Sequence, residues 1–347
     1  MQTSLRRLLA LAQFHVWSIA IMSAKVDPAI IKALASNLSI DPSTAKISSH
    51  GGSGFASTLR ITTPETSIFV KQSSSKGAAT MFEGEHASLN AIHNAVPSLA
   101  PKSFAWGQLE QQNGFFLATE FLDMSSRTSF GNGSGMSLAT KLAKLHTTLI
   151  PEEYRDKGFG FPVSTCCGDT IQDNSFKDSW ATFFAENRLL HILECAEKRQ
   201  GVDKSLRSLI EDICAKVVPR LLGDGHLGGK DGIRPAIVHG DLWSGNKGRG
   251  CFVGRADAGT EEVVFDPSAC YGHHEFDHGI MNMFGGFGSG FWKECFQLCP
   301  KSEPVEEYDD RIKLYESYHH LNHYSMFGGG YKSGAVGLLK PLLKKYG

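Results

Sequence analysis

The run His239-Gly240-Asp241-Leu242-Trp243-Ser244-Gly245-Asn246 is followed by a second aspartate in Phe265-Asp266-Pro267. An aspartate five residues before an asparagine, with another aspartate one β-hairpin later, is the spacing that phosphoryl transfer requires. That reaction asks little covalent work of the protein. It needs a proton acceptor for the attacking hydroxyl and oxygen ligands for the Mg²⁺ that neutralises phosphate charge. Asp241 suits the first role, Asn246 and Asp266 the second, and His239 reads as support for the loop. The competing reading is a silent loop whose Asp and Asn side chains merely cap turns.

The elements around the loop must position these groups. Cys251-Phe252-Val253 and Glu261-Glu262-Val263-Val264-Phe265 are predicted as two strands joined by a Gly-rich turn, which returns Asp266 to the side of Asn246. Upstream, Gly51-Gly52-Ser53-Gly54 lies between Ile47 and the alternating stretch Thr58–Thr62, the pattern of a glycine-rich hairpin covering nucleotide phosphates. Ser67-Ile68-Phe69-Val70-Lys71 is an apolar strand ending in a lysine placed to contact the α- and β-phosphates of ATP. Residues from Met81 to Val96 have helical periodicity, with Phe82, Leu89, Ile92 and Val96 on one stripe. Glu85 shares that stripe, and a core-facing carboxylate needs a partner, for which Lys71 is the economical choice. Phe115–Leu122 reads as a buried strand entering an inter-lobe hinge, where the backbone of Glu120, Phe121 and Leu122 is placed to pair with adenine.

Together, HGDLWSGN at 239–246, DPSACYGHHEFD at 266–277, FGGF at 284–287 and LNHYSMFGGGY at 321–331 resemble the fructosamine kinase, or ketosamine kinase, family. MFEGE at 81–85, FGF at 159–161 and TFFAENRL at 182–189 extend the resemblance, which runs from about Lys71 to Tyr331. It implies an α+β, protein-kinase-like bilobal fold, with a small antiparallel-sheet N-lobe and a larger, mostly helical C-lobe. It also implies an ATP- and Mg²⁺-dependent enzyme that phosphorylates the 3-hydroxyl of ribulosamine or fructosamine adducts on lysines, free or in glycated proteins, so that the adduct breaks down. Carried over to this chain, the resemblance makes Asp241 the proton acceptor, Asn246 and Asp266 the Mg²⁺ ligands, and Lys71 with Glu85 the organisers of ATP. Phe176 and Ser179 depart from the family pattern, which usually has a Trp and an acidic residue there.

For the acceptor, Trp243 offers an indole face to an amine or sugar, and His273 and Glu275 lie just beyond the metal aspartate. Asp277 reads as structural, holding the backbone of the catalytic loop. His146, on a stripe with Leu138, Leu142, Leu145 and Leu149, reads as a buried histidine near that loop, and His319 and His323 as packed or surface residues without a metal. The residues leave open two alternatives, a small-molecule kinase of aminoglycoside or choline type and an inactive pseudokinase scaffold.

A net charge of −1 without a basic block argues against nucleic-acid binding. Eight cysteines without a C-x-x-C pair argue for free thiols rather than zinc or a disulfide framework. A membrane role is not expected, and oligomeric state is not legible. The 347 residues divide into an extension at 1–22, an ATP-binding N-lobe at 23–122 and a C-lobe at 123–347. The extension carries Arg6 and Arg7 and no acidic residue, the pattern of a presequence or of an upstream start before Met22. The expected location is cytoplasmic, or mitochondrial if the extension is a presequence.

Overall fold

The structure, a computed structural model, describes residues 26–38, 41, 44–53, 56–124, 134–255 and 259–347. The extension at 1–22 and Gly54 of the glycine-rich loop lie outside the described residues, as does most of the Ser/Gly-rich stretch after Asp123.

The chain opens with α1 (Pro28–Leu38) and builds a five-stranded antiparallel sheet from β1 (Lys46–Ser53), β2 (Ala56–Thr62), β3 (Ser67–Ser73), β4 (Ser103–Gln108) and β5 (Phe115–Glu120), in the order β1-β2-β3-β5-β4. Between β3 and β4 runs α2 (Ala78–Ala95). The sheet is covered on both sides, so β5 is apolar without alternation. Phe116 and Ala118 join Ile30 and Leu34 of α1 in one cluster, while Leu117 joins Phe82 and Leu89 of α2 in the other.

The short β6 (Leu122–Asp123) leaves this sheet and pairs with β10 (Lys247–Phe252), which pairs in turn with β11 (Glu261–Val264). The hairpin predicted from the sequence is therefore shifted. Lys247–Gly250 pair with β11, whereas Cys251 and Phe252 pair with Asp123 and Leu122. The apolar residues at 251–252 are buried against the hinge strand rather than within the hairpin, a contact that no local pattern encodes.

Most of the rest is helical: α3 (Leu138–Thr147), α4 (His191–Gln200), α5 (Lys204–Asp212), α6 (Phe276–Phe284), α7 (Ser289–Leu298), α8 (Tyr308–Phe327) and α9 (Tyr331–Tyr346). Ser137 caps α3 by accepting from the Thr140 amide. Leu149 does not extend the α3 stripe, because the helix ends at Thr147 and leaves that side chain exposed. Two small ladders complete the fold, β7 (Thr165–Cys167) with β8 (Thr170–Gln172), and β9 (Ala236–Val238) with β12 (Cys270–Gly272). Among the described residues no helix is long and apolar enough to cross a membrane.

The β7–β8 hairpin lies directly against α2. A Cβ added to Gly84 would fall 2.6 Å from the Ser164 carbonyl oxygen and 2.8 Å from the Thr165 Cα. Gly84 precedes Glu85, so this close approach sets the height of the Glu85 carboxylate above the cleft. Gly84→Ala is expected to cost about 1–3 kcal/mol through overpacking, read as a lower urea midpoint at unchanged m-value.

Candidate active site

The centre of the site is the turn leaving β9. Gly240 has φ +80, and a Cβ there would stand 1.9 Å from the Ser268 carbonyl oxygen, so only glycine fits. The turn exposes two successive amides, and Asp277 takes both: the His239 N–H donates to Oδ2 at 2.9 Å and the Gly240 N–H to Oδ1 at 2.8 Å. His146 of α3 donates from Nε2 to the same Oδ2 at 3.0 Å. Burial opposes the charge on each member of this pair. Even so, Asp277 and His146 hold each other ionised, with the Asp277 carboxyl below its ordinary value and the His146 imidazole raised to about 9.

His239 ties the loop to the next strand. Its Nε2 donates to the Phe265 carbonyl at 3.2 Å, and its Nδ1 accepts from the Asp241 amide at 3.3 Å. Asn246 donates from Nδ2 to the Asp241 carbonyl at 2.9 Å and to Asp241 Oδ2 at 3.3 Å, leaving its amide oxygen as the group available to a cation. Asp266 follows β11 with φ 55, the one non-glycine residue with positive φ among those described. Such a conformation persists at functional sites when its surroundings impose it. Burial, reinforced by the negative charge of Asp266, pushes the Asp241 carboxyl up to about 8.

Lys71 sits between two carboxylates, with Nζ 2.6 Å from Glu85 Oε1 and 2.6 Å from Asp266 Oδ1. The pair expected from helical periodicity is thus present, and the second partner comes from the far side of the cleft. Burial disfavours the ammonium, but the two carboxylates outweigh it and raise the Lys71 pKa.

Two cavities meet at this triad, and both are lined by Lys71, Glu85 and Asp266. One, of about 270 Å³, is walled by His50, Thr58, Phe69, Phe121 and Leu122. Glu120 lines it too, although its carboxylate is engaged by Arg255 and the Lys102 amide. The Phe121 N–H is not available to a base, because it donates to the Ser67 carbonyl, while its carbonyl accepts from the Val253 amide and keeps one lone pair. Gly51, Gly52 and Ser53 close the end of β1, where pairing shifts between Ser49 and Gly52.

The other cavity, of about 460 Å³, contains Asp241 and Asn246 and has an aromatic wall of Trp243, Phe284, His323, Phe327 and Tyr331. Trp243 is 38% exposed, and its ring lies over Gly245, where a Cβ would come within 2.1 Å of it. Phe284 packs 5.5 Å from Trp243 and 5.3 Å from His323, which lies 5.1 Å from Tyr331. His323 donates from Nδ1 to the His319 carbonyl at 2.8 Å, and burial lowers its pKa, so a neutral ring faces the cavity with Nε2 as an acceptor.

Two expected acceptor residues are not at this cavity. His273 is buried, with Nδ1 on the Tyr315 hydroxyl and Nε2 on Ser302 Oγ, both at 2.8 Å. Glu275 is fully buried and pairs with Arg311 through both carboxylate oxygens. Their side chains serve the packing of α6 on α8, which corrects the substrate role. It also leaves the cluster of His273, His274 and Glu275 with few lone pairs for a metal. Conversely, Phe284, Asn322, His323, Met326, Phe327 and Tyr331 had no role in the sequence reading, although FGGF and LNHYSMFGGGY were conspicuous as strings.

Residues 26–345 match the family model for fructosamine kinase. The chain is 33% identical over 323 residues to ketosamine-3-kinase of Mus musculus, covering 87% of this chain and 96% of that protein. It is 33% identical over 299 residues to chloroplastic protein-ribulosamine 3-kinase of Arabidopsis thaliana, covering 86% and 83%. In fold it resembles a Plasmodium vivax ethanolamine kinase, with TM-score 0.52 and 12% identity over 90% of this chain and 87% of that one.

The His146–Asp277 pair makes stability pH-dependent in a defined sense. The raised His146 value contributes fully below 6.5 and is lost as pH rises through about 9, whereas the lowered Asp277 value contributes above 3.8 and is lost as pH falls. His146→Gln is therefore expected to destabilise by about 3 kcal/mol near pH 6, with the gap from the natural chain narrowing above pH 9 in urea titrations.

Proposed function

Because the chain belongs to the fructosamine kinase family, we propose that it transfers the γ-phosphoryl group of ATP to the 3-hydroxyl of a ketosamine, a ribulose- or fructose-derived adduct of a lysine amine. The observation that carries this reading is the pair of cavities joined at Lys71, Glu85 and Asp266, with Asp241 on one side only. A nucleotide and an acceptor placed in the two cavities meet at the triad, the arrangement that in-line transfer needs.

The donor set fits Mg²⁺, a hard cation that prefers oxygen. Asp266 presents a half-exposed carboxylate and Asn246 an amide oxygen. Bound Mg·ATP supplies the phosphoryl group and the neutralisation of its charge. Asp241 is the proton acceptor for the attacking hydroxyl. Lys71, oriented by Glu85 and lining the smaller cavity, would contact the phosphates of a nucleotide bound there.

The larger cavity suits the acceptor. A ketosamine carries hydroxyls beside a secondary ammonium, and aromatic faces attract such a cation by about 0.5–2 kcal/mol. Trp243, Phe284 and Tyr331 provide those faces, and His323 Nε2 provides an acceptor for a hydroxyl. Phosphorylation at the third carbon then leaves an adduct that breaks down and frees the lysine.

ATP-dependent transfer to ribulose-lysine, fructose-lysine and an aminoglycoside, measured side by side, tests the reading. Transfer to either lysine adduct is expected, and transfer to the aminoglycoside alone, or to none, would overturn it. Asp241→Asn should lower turnover by at least about 10²-fold while leaving ATP affinity largely intact. Asp266→Ala should impair both. Trp243→Ala should raise KM for the ketosamine more than KM for ATP.

A further inference from the structure

A further cavity, of about 340 Å³, lies behind α2, and none of its described lining residues belongs to the two cavities that meet at Lys71. Its volume falls in the range of small-molecule sites, about 300–1,000 Å³. Ala87 lies roughly 200° round α2 from Glu85, and Ala91 and Ala95 continue the same face, so one wall is a helix stripped to methyl groups. Opposite stand Phe161 and Tyr271, from the strings FGF and DPSACYGHHEFD, and neither residue reaches the cleft. Gly160 and Tyr271 exchange both backbone hydrogen bonds, at 3.1 and 2.7 Å. A Cβ on Gly160 would fall 2.8 Å from the Asn174 carbonyl oxygen, so this wall is fixed from behind.

Tyr271 is 2% exposed, and its ring is held by Phe161 at 5.0 Å and Tyr154 at 5.6 Å. Its hydroxyl has no hydrogen-bond partner among the described residues, although a buried phenol ordinarily finds one. The hydroxyl is not sealed off either, so the little surface it keeps faces the cavity that Tyr271 lines. Phenylalanine would pack there equally well. At the mouth, beside the exposed Leu149, Arg155 is the one charged residue of the described lining. Its Nε donates to the Ile150 carbonyl at 3.0 Å, which leaves both Nη groups without a partner among the described residues. Glu152, Glu153 and Asp156 flank it in sequence and are exposed, but none of them lines the cavity.

We propose that the cavity behind α2 is a second binding site, for a small aromatic carboxylate that carries a hydroxyl at its far end. The flat body lies between the alanine face of α2 and Phe161, the carboxylate accepts from the Arg155 Nη groups at the mouth, and the hydroxyl pairs with that of Tyr271. An apolar slot with a few convergent polar groups is the usual form of a small-molecule site. With a single cation and no carboxylate in the described lining, the charge of this one selects an anion. The site stands whether or not a ketosamine is the acceptor in the cleft.

The test titrates the full chain with 6-hydroxy-2-naphthoate, followed by saturation transfer to the naphthyl protons, against 2-naphthoate and the neutral 6-hydroxy-2-naphthamide. The hydroxy acid should bind, and saturating Mg·ATP should not displace it. The amide, or Arg155→Gln with the acid, should bind about 10-fold more weakly, through loss of the charge-assisted bond. Tyr271→Phe should weaken the hydroxy acid about 5-fold and leave 2-naphthoate unchanged, a difference that a general loosening of the fold would not produce. Ala91→Trp, which fills the slot from a partly exposed position, should abolish binding while ATP affinity stays natural. No saturation transfer from the natural chain, equal affinity for acid and amide, or displacement by Mg·ATP would overturn the proposal. So would equal weakening of both acids by Tyr271→Phe, or undiminished binding to Ala91→Trp.

Discussion

A carboxylate with no access to water must be fully hydrogen-bonded or neutral, and Asp277 is both buried and charged. It meets that condition by accepting from two consecutive amides of the catalytic turn and from an imidazolium. The geometry of the loop is the consequence. Two amides that point at one carboxylate require the left-handed turn at Gly240, and that turn aims Asp241 into the cleft while His239 reaches back to Phe265. An uncharged residue at 277 would leave two buried N–H groups and an imidazolium without partners, so the loop and its clamp stand or fall together.

The cleft itself is closed by ion pairs that join parts of the chain distant in sequence. Lys71 links Glu85 of α2 to Asp266 beyond β11, and Arg255, just after β10, grips Glu120 at the end of β5. Lys141 of α3 is fully buried on Glu261, the first residue of β11, and also donates to the Ser98 and Glu262 carbonyls. Apart from Lys71–Glu85, each pair has one partner on or beside the β10–β11 hairpin. That hairpin carries Asp266 at its end, so the placement of Asp266 is set by charges from three directions rather than by the strand alone.

The meeting of Asp241, Asn246, Asp266 and Glu85 was legible because their spacing is local. Asp241, Asn246 and Asp266 lie within one loop and one hairpin, and Glu85 is marked by helical phase. Asp277 was legible in role, though only the structure supplies its His146 partner. The wall of the larger cavity was legible only at Trp243, because Phe284, His323 and Tyr331 come from places that only packing brings together. His273 and Glu275 were misassigned for a related reason. Nearness to Asp266 in sequence is not nearness in space here, because β12 pairs with β9 and carries the chain away from the cleft before residue 273. Buried charges such as Lys141 and Arg311 leave no mark in a hydrophobic pattern, since their partners lie 120 and 36 residues away.

This division has a physical basis in α8. One side of the helix is fixed by Arg311 on Glu275, by Tyr315 accepting from Trp180 Nε1, and by Tyr318 accepting from Gln172. The side that meets the cavity, with His323, Met326 and Phe327, is only partly buried or exposed. Side chains on that face can change without opening a void in the core or stranding a buried charge. The other side of the cleft has no such latitude, because Lys71 and Asp277 are each held by charged partners whose loss is costly. A single scaffold therefore holds Lys71 and Asp277 rigidly while the outer face of α8 and the start of α9, across the same cavity from Asp241, are left free to vary.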